Sequence, residues 1–214
     1  PRLSLVWPTG PMFGPDEATL DLLASMLGDG KSSRLHQTLV YEKQIARDVV
    51  VANHTREIAG EFIIQVTANP GQDLDEIQKI IDDELDNFKS HAPTERELGR
   101  ALNHFESDNV RRLQRIGGFG GRADQLNLFN TFTGTPHGIN SDIERYRSVS
   151  LGDITSVANN LGRNRVRMTV IPEKPVSAGA PSKIDRTLTP QALPTPVFSP
   201  TIPIREILPN GLTL

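Results

Sequence analysis

Histidine and carboxylate side chains hold metals or move protons only when spacing brings them to one point. The sequence contains one near miss of this kind. His54-Thr55-Arg56-Glu57-Ile58 is one residue short of His-x-x-Glu-His. In that motif two histidines one helical turn apart bind zinc while the glutamate activates water. Ile58 stands where the second histidine would be, beside a hairpin pattern, so the segment is expected to be a solvated loop. The remaining histidines, His36, His91, His104 and His137, form no i, i+4 pair. There is no Gly-x-Ser-x-Gly elbow for a nucleophilic serine. Cysteine is absent, which removes disulfides, thiolate zinc sites and cysteine nucleophiles.

Two glycine-rich segments invite a nucleotide reading. Gly28-Asp29-Gly30-Lys31-Ser32-Ser33 ends like a phosphate loop, but the required upstream glycine is Ser25, and a helix rather than a strand precedes it. A helix–loop–helix turn is expected, with Gly28 stopping one helix and Ser32 or Ser33 capping the next. Gly117-Gly118-Phe119-Gly120-Gly121 does not follow a strand and lacks the dinucleotide spacing. It is expected to be a flexible break between helices or a mobile loop facing a substrate. Arg111, Arg112, Arg115 and Arg122 cluster around it. They read either as a charged helix face or as a patch that meets an acidic substrate or a partner domain inside a chamber.

The balance of charge is otherwise unremarkable: 23 basic against 26 acidic residues in 214 give −3. A nucleic-acid module usually shows a basic excess, so none is expected as partner. No apolar run approaches the roughly 18 residues of a bilayer span. The length is that of one large domain or two small ones.

Elements that could position these residues follow from periodicity. Leu3, Leu5 and Trp7 alternate with Arg2, Ser4 and Val6, a strand with one mainly apolar face. Helices are expected over Asp16–Leu27 and Ser32–Gln44. An antiparallel pair is expected over Asp48–His54 and Glu61–Ala68. Leu74, Ile77, Ile81, Leu85 and Phe88 recur at helical spacing within Asp73–Lys89. Thr94 and Glu97 make a capping box that opens a helix to about Arg115. Helices resume over Ala123–Phe132 and from Ser150 to Leu161. Arg165–Ile171 closes the body as a strand, with Val166, Met168 and Val170 on one face. The fold class is α+β, an antiparallel or mixed sheet with helices packed on one face. Nine of the 16 prolines fall between Pro172 and Pro209, which predicts an extended linker over residues 173–207. Asn210-Gly211 between apolar residues reads as the start of another unit over 208–214. The chain opens on Pro1 directly into a strand, as expected of a piece of a longer protein.

Leu27-Gly28-Asp29-Gly30-Lys31-Ser32-Ser33-Arg34-Leu35, followed by Leu39-Val40-Tyr41-Glu42-Lys43-Gln44-Ile45-Ala46, resembles the second-half domain of pitrilysin/insulinase-family zinc peptidases. Arg122-Ala123-Asp124-Gln125-Leu126-Asn127 is similar to the long bacterial members. Leu208-Pro209-Asn210-Gly211-Leu212 resembles the opening strand of the family's zinc-bearing domain. The resemblance implies repeated α+β domains, two-layer sandwiches that pair into bowl-shaped halves around a chamber. The zinc-binding domain carries His-x-x-Glu-His, and partner domains share the fold without it. An Arg and a Tyr seven residues on, which support the transition state in some family domains, fall here on Val40 and Arg47. Neither role is kept, and Tyr41 is displaced by one residue.

The resemblance therefore implies a non-catalytic wall domain of a zinc metalloendopeptidase over residues 1–172. Zinc is expected in the parent chain and not in this piece. No catalytic or metal residue is assigned, and the substrate-binding residues are left open. Ser32, Ser33 and Arg34 are expected to form a structured turn. The implied partners are neighbouring domains of the same chain and a peptide or small-protein substrate. A periplasmic or cell-envelope location is what many bacterial relatives show. Two other readings remain: a peptidase-like structural or interaction subunit without zinc chemistry, and a free-standing ferredoxin-like ligand-binding domain.

Overall fold

Alternation along Arg2–Thr9 (β1) buries Leu3, Leu5 and Trp7 on one side. The same period along Gly60–Ala68 (β3) buries Phe62, Ile64, Val66 and Ala68. The two strands pair antiparallel, with Leu5 opposite Ile64 and Trp7 opposite Phe62. Ala46–Thr55 (β2) joins the far side of β3 through a bulge between Ala46 and Asp48. Val166–Val170 (β4) joins the free side of β1. The sheet is wholly antiparallel in the order β2-β3-β1-β4, so β2 and β4 are its edges.

In this computed structural model the described residues are 1–90, 92–162, 164–173, 199, 200, 205, 207–209 and 211. The chain divides into a unit Pro1–Glu173 and a unit Lys174–Leu214. In the second, Gly211 N donates to Leu208 O at 2.8 Å. Most of the expected linker over 173–207 and of the expected strand start over 208–214 lies outside the described residues.

Helices cover the face that carries Leu5 and Phe62. Glu17–Gly28 (α1) is buried along nearly its whole length, from Ala18 to Leu27. It ends on β2 because Gly28 lacks a Cβ. A methyl there would sit 2.3 Å from Val51 Cγ2 and 2.9 Å from the Val51 amide. Leu74–Ser90 (α3) turns Ile77, Ile81, Leu85 and Phe88 inward, and Leu151–Asn160 (α7) adds Ile154, Val157 and Ala158. Each such side chain, fully buried, contributes about 1.5–3 kcal/mol before the entropy cost of ordering. Trp7 Nε1 donates to Gly162 O at 2.7 Å, which ties β1 to the exit of α7. Glu95–Gln114 (α4) opens on the expected capping box: Glu97 N donates to Thr94 Oγ1, and Thr94 N donates to Glu97 Oε2 at 2.8 Å. Arg122–Thr133 (α5) follows the glycine break.

Three expectations are corrected. The helix expected over Ser32–Gln44 is a short α-helical turn, Arg34–His36 (α2), running into a π-helical turn, Gln37–Glu42. Lys43 N donates to Thr38 O at 3.0 Å, the i→i+5 bond of that turn. No serine side chain caps it. Ser33 is fully buried, and its hydroxyl donates to Gly30 O at 2.8 Å, closing the turn on itself. A further helix, Ile139–Arg147 (α6), stands where none was expected. On β4, Val166, Met168 and Val170 do share a face, but it is exposed. The register puts Arg167 opposite Leu5 and Thr169 opposite Leu3, so the polar residues of β4 lie on the helix side. Arg165 and Arg167 there pair with Asp82 and Asp75 of α3.

Arg34 fastens the turn to two helices. Its Nε donates to Glu97 Oε1 at 2.7 Å, NH2 to Glu97 Oε2 at 3.1 Å, and NH1 to Glu84 Oε1 at 3.3 Å. The guanidinium carbon lies 3.9 Å from the centre of the Phe88 ring. Such a two-toothed pair needs the planar fork of arginine. Arg34→Ala is expected to lower unfolding free energy by about 2–3 kcal/mol, as loss of a half-buried charged hydrogen-bonded group does. Arg34→Lys should recover less than half of that loss. Urea unfolding followed by circular dichroism measures both; a Lys variant as stable as the parent would rule out the fork.

Candidate functional site

The edge strand β2, the helix α1 and the helix α4 leave a groove of about 280 Å³ between them. Asp21, Ser25 and Asp29 line it from α1, Val51 and Asn53 from β2, and His104, Phe105, Asp108 and Arg112 from α4. Tyr146 of α6 closes one end. The ring of Phe105 stacks on Tyr146 with centroids 3.5 Å apart, which seats α6 against α4.

A connected polar network lies at that closed end. Tyr146 donates its hydroxyl hydrogen to Asp21 Oδ2 at 2.5 Å, and Asn53 Nδ2 donates to Asp21 Oδ1 at 2.9 Å. One turn earlier on α1, Glu17 accepts from Thr55 Oγ1 at 2.6 Å, Phe13 N at 2.7 Å and Arg145 NH2 at 2.7 Å. Arg145 NH2 also donates to Asp142 at 2.7 Å. Burial pushes the Asp21 carboxyl up to about 6, against the hydrogen bonds from Tyr146 and Asn53 that favour its ionised form. Burial also raises Asp142, with Arg145 opposing. Burial and the neighbouring Asp21 push the Tyr146 phenol well above its ordinary value.

The arrangement lacks the order that nucleophilic catalysis needs. Ser25 Oγ lies 3.4 Å from Asp29 Oδ2, and His104 Nδ1 lies 2.8 Å from the same oxygen. The carboxylate therefore stands between the hydroxyl and the imidazole, so the imidazole is not placed to take the serine proton. Zinc fits no better. Asp21, Ala24 and Ser25 occupy on α1 the i, i+3, i+4 spacing that His-x-x-Glu-His uses, but only Asp21 is a ligand type, and both its oxygens are engaged. Among the described residues no group of three His, Cys, Asp or Glu side chains could hold a metal ion. No step through zinc is derived for this chain.

The other residues singled out in the sequence are dispersed. His54 ends β2, and Arg56 N donates to Ala59 O at 3.1 Å in the hairpin turn. Val40 packs partly on the core, Tyr41 lies exposed against the His36 ring, and Arg47 is exposed at the bulge of β2. Arg111 pairs with Asp108 at 2.9 Å, whereas Arg112, Arg115 and Arg122 are exposed and make no ion pair among the described residues. Only Arg112 of these reaches the groove. The residues that do form the network, Glu17, Asp21, Asn53, Arg145 and Tyr146, were not singled out. The one signal for Asp21 was a charge inside an otherwise apolar stretch, Leu20 to Leu23.

Residues 1–105 match the family model described as the peptidase M16 inactive domain. Over those residues the chain is similar to M16 inactive domains. The chain is 28% identical over 152 residues to an uncharacterized zinc protease of Streptomyces coelicolor, covering 71% of this chain and 32% of the relative. It is 26% identical over 156 residues to the zinc protease PqqE of Helicobacter pylori, covering 72% of this chain and 34% of the relative. The chain thus spans about a third of the length of the curated relatives it matches. Its fold is similar to that of an inactive peptidase domain from Bordetella parapertussis, with a TM-score of 0.69, 23% identity, 84% of this chain and 95% of that one. The chain is accordingly similar to bacterial zinc proteases and to their inactive domains, and its fold is α+β. No helix among its described residues is long and apolar enough to cross a membrane.

The raised Asp21 value sets a pH dependence. Folding holds its proton more tightly than the unfolded chain does, so its stabilisation is complete below about pH 4 and is lost as pH rises through about 6. Acidifying from pH 7.5 to 5 should stabilise the domain by about 1 kcal/mol through Asp21, with Asp142 adding in the same direction. Thermal melts across that range measure the slope, and Asp21→Asn should flatten it. An undiminished slope in that variant would assign the effect elsewhere.

Proposed function

We propose that this chain is an M16 inactive domain and a non-catalytic wall of a zinc-dependent metalloendopeptidase. With neighbouring domains of its parent chain it encloses a peptide or small-protein substrate. One observation carries the reading. The polar side chains at the closed end of the groove are satisfied within the chain as an Asp21–Tyr146–Asn53 bond set, and the curated relatives are named zinc proteases. Zinc in the parent supplies a water nucleophile. Residues of this chain shape and dry the enclosure and move no proton in the reaction. Residues 1–172 form the wall, 173–207 the linker, and 208–214 the start of the next domain. The parent works in the periplasm or cell envelope.

A second reading, a peptidase-like interaction subunit without zinc chemistry, draws support from the large apolar side chains exposed between α4 and α5. An intact His-x-x-Glu-His in the flanking sequence of the parent selects the first reading; its absence on both sides selects the second.

Purified chain incubated with internally quenched peptides is expected to show no chelator-sensitive turnover, with or without added zinc. Hydrolysis that a chelator abolishes and zinc restores would overturn the non-catalytic assignment.

A further inference from the structure

The glycine break between α4 and α5 is a built loop. Arg122 N donates to Arg115 O at 2.8 Å and Ala123 N to Ile116 O at 3.1 Å, which close its base. Gly121 N donates to Gly118 O at 3.1 Å, and Gly120 N donates to Asp124 Oδ2 at 2.8 Å. Gly118 and Gly120 sit at φ +80° and +74°, where any other residue is strained. A Cβ on Gly121 would lie 2.6 Å from Gly117 O. Three of the four glycines are thus required by backbone geometry.

The loop uses this geometry to hold a large apolar ring in water. Phe119, between the two left-handed glycines, is 99% exposed, and Ile116 at the base is 72% exposed. Val110, on the last turns of α4, is exposed as well. Leaving a phenylalanine and an isoleucine in water forgoes burial that the rest of the domain takes wherever it can. Arg115 and Arg122 bracket the loop at its base, and both they and Arg112, one turn back on α4, are exposed without an ion pair among the described residues. Residues 105–137 contain no lysine, so every cation there is a fork matched to carboxylates.

We propose that the α4–α5 loop is a docking finger for an acidic polypeptide segment, with Phe119 entering an apolar socket and Arg115 and Arg122 pairing with carboxylates on its rim. An exposed aromatic anchor on a loop flanked by arginines has the composition of a protein interface centre. A lipid surface fits less well. The hairpin carries Asp108 and Asp124 among its arginines, and no Trp or Tyr, which membrane interfaces favour. The assignment goes beyond the wall-domain reading and holds whether or not the parent retains zinc.

Selection of a phage-displayed random dodecapeptide library on the immobilised 214-residue chain tests it. Enriched peptides are expected to carry net negative charge and at least one large apolar residue. In fluorescence anisotropy with a labelled selected peptide, Phe119→Ala should weaken binding at least ~10-fold, as hot-spot truncation does. Phe119→Leu should restore most of the affinity. Arg115→Gln with Arg122→Gln should weaken binding and flatten its salt dependence. Circular dichroism melts of Phe119→Ala should match the parent, because the ring packs on nothing. A library yielding no Phe119-dependent binder, or only basic or neutral ones, overturns the proposal. Phe119-dependent binding to phosphatidylglycerol-containing vesicles without any such peptide also overturns it and makes the loop a lipid anchor.

Discussion

Arg34 is the point at which three separately built parts of the domain are held in one geometry. The turn after α1, the amphipathic α3 and the long α4 each form for local reasons, but none of those reasons fixes their mutual angle. The guanidinium does. It meets Glu97 with two nitrogens and Glu84 with a third, and it lies over Phe88, itself buried in the core. Glu97 is shared with the capping box of α4, so the interaction that starts the helix also aims it. The Arg34 guanidinium holds the Glu97 carboxyl down at about 2, with Thr94 helping and burial opposing. The clamp is therefore charged at every pH at which the domain would be used.

With α4 so aimed, the groove against β2 exists, and its character depends on α1. That helix is buried on almost every side, and a buried polar group must find partners or pay desolvation in full. Glu17 and Asp21 find them on elements far apart in sequence: Thr55 and Asn53 from β2, Arg145 and Tyr146 from α6. The carboxylates at the closed end of the groove are thus satisfied by structure. A catalytic groove keeps such atoms poised toward a ligand; here Asp21 has both oxygens committed. The same bonds that quiet the site anchor α6, whose small buried surface, Tyr146 chiefly, would not hold it alone.

The sheet strands, α3 and α4 are legible in the sequence because each carries a strong periodic or capping signal, as in Ile77-Ile81-Leu85 or Thr94 with Glu97. Helix α6 is not, because Ile139, Ile143 and Tyr146 span too few turns and Gly138 makes no side-chain cap. The start of α2 misleads because Ser33 is a capping residue by type, yet its hydroxyl turns back to Gly30 once buried. The apolar alternation of β4 was visible, but not which face the core would choose. Arg165 and Arg167 reach α3 carboxylates, and that long-range pairing decides the strand's orientation. The polar network was illegible for the same reason: its members lie up to 128 residues apart and meet only through tertiary structure.

These choices leave the domain with two kinds of surface. The closed end of the groove is internally satisfied, whereas the exposed strand face of Val166, Met168 and Val170 and the tip at Phe119 keep apolar groups in water. A domain selected only for its own stability has no reason to spend left-handed glycines on exposing a ring. The cost makes physical sense if contact, rather than chemistry, is what the domain supplies. The arginines around Phe119 sharpen that contact into a preference, because like charge repels basic surfaces while a carboxylate rim is drawn in. A groove whose Asp21 has both oxygens committed and a rigid loop that holds Phe119 in water both suit a surface that makes contacts rather than one that reacts.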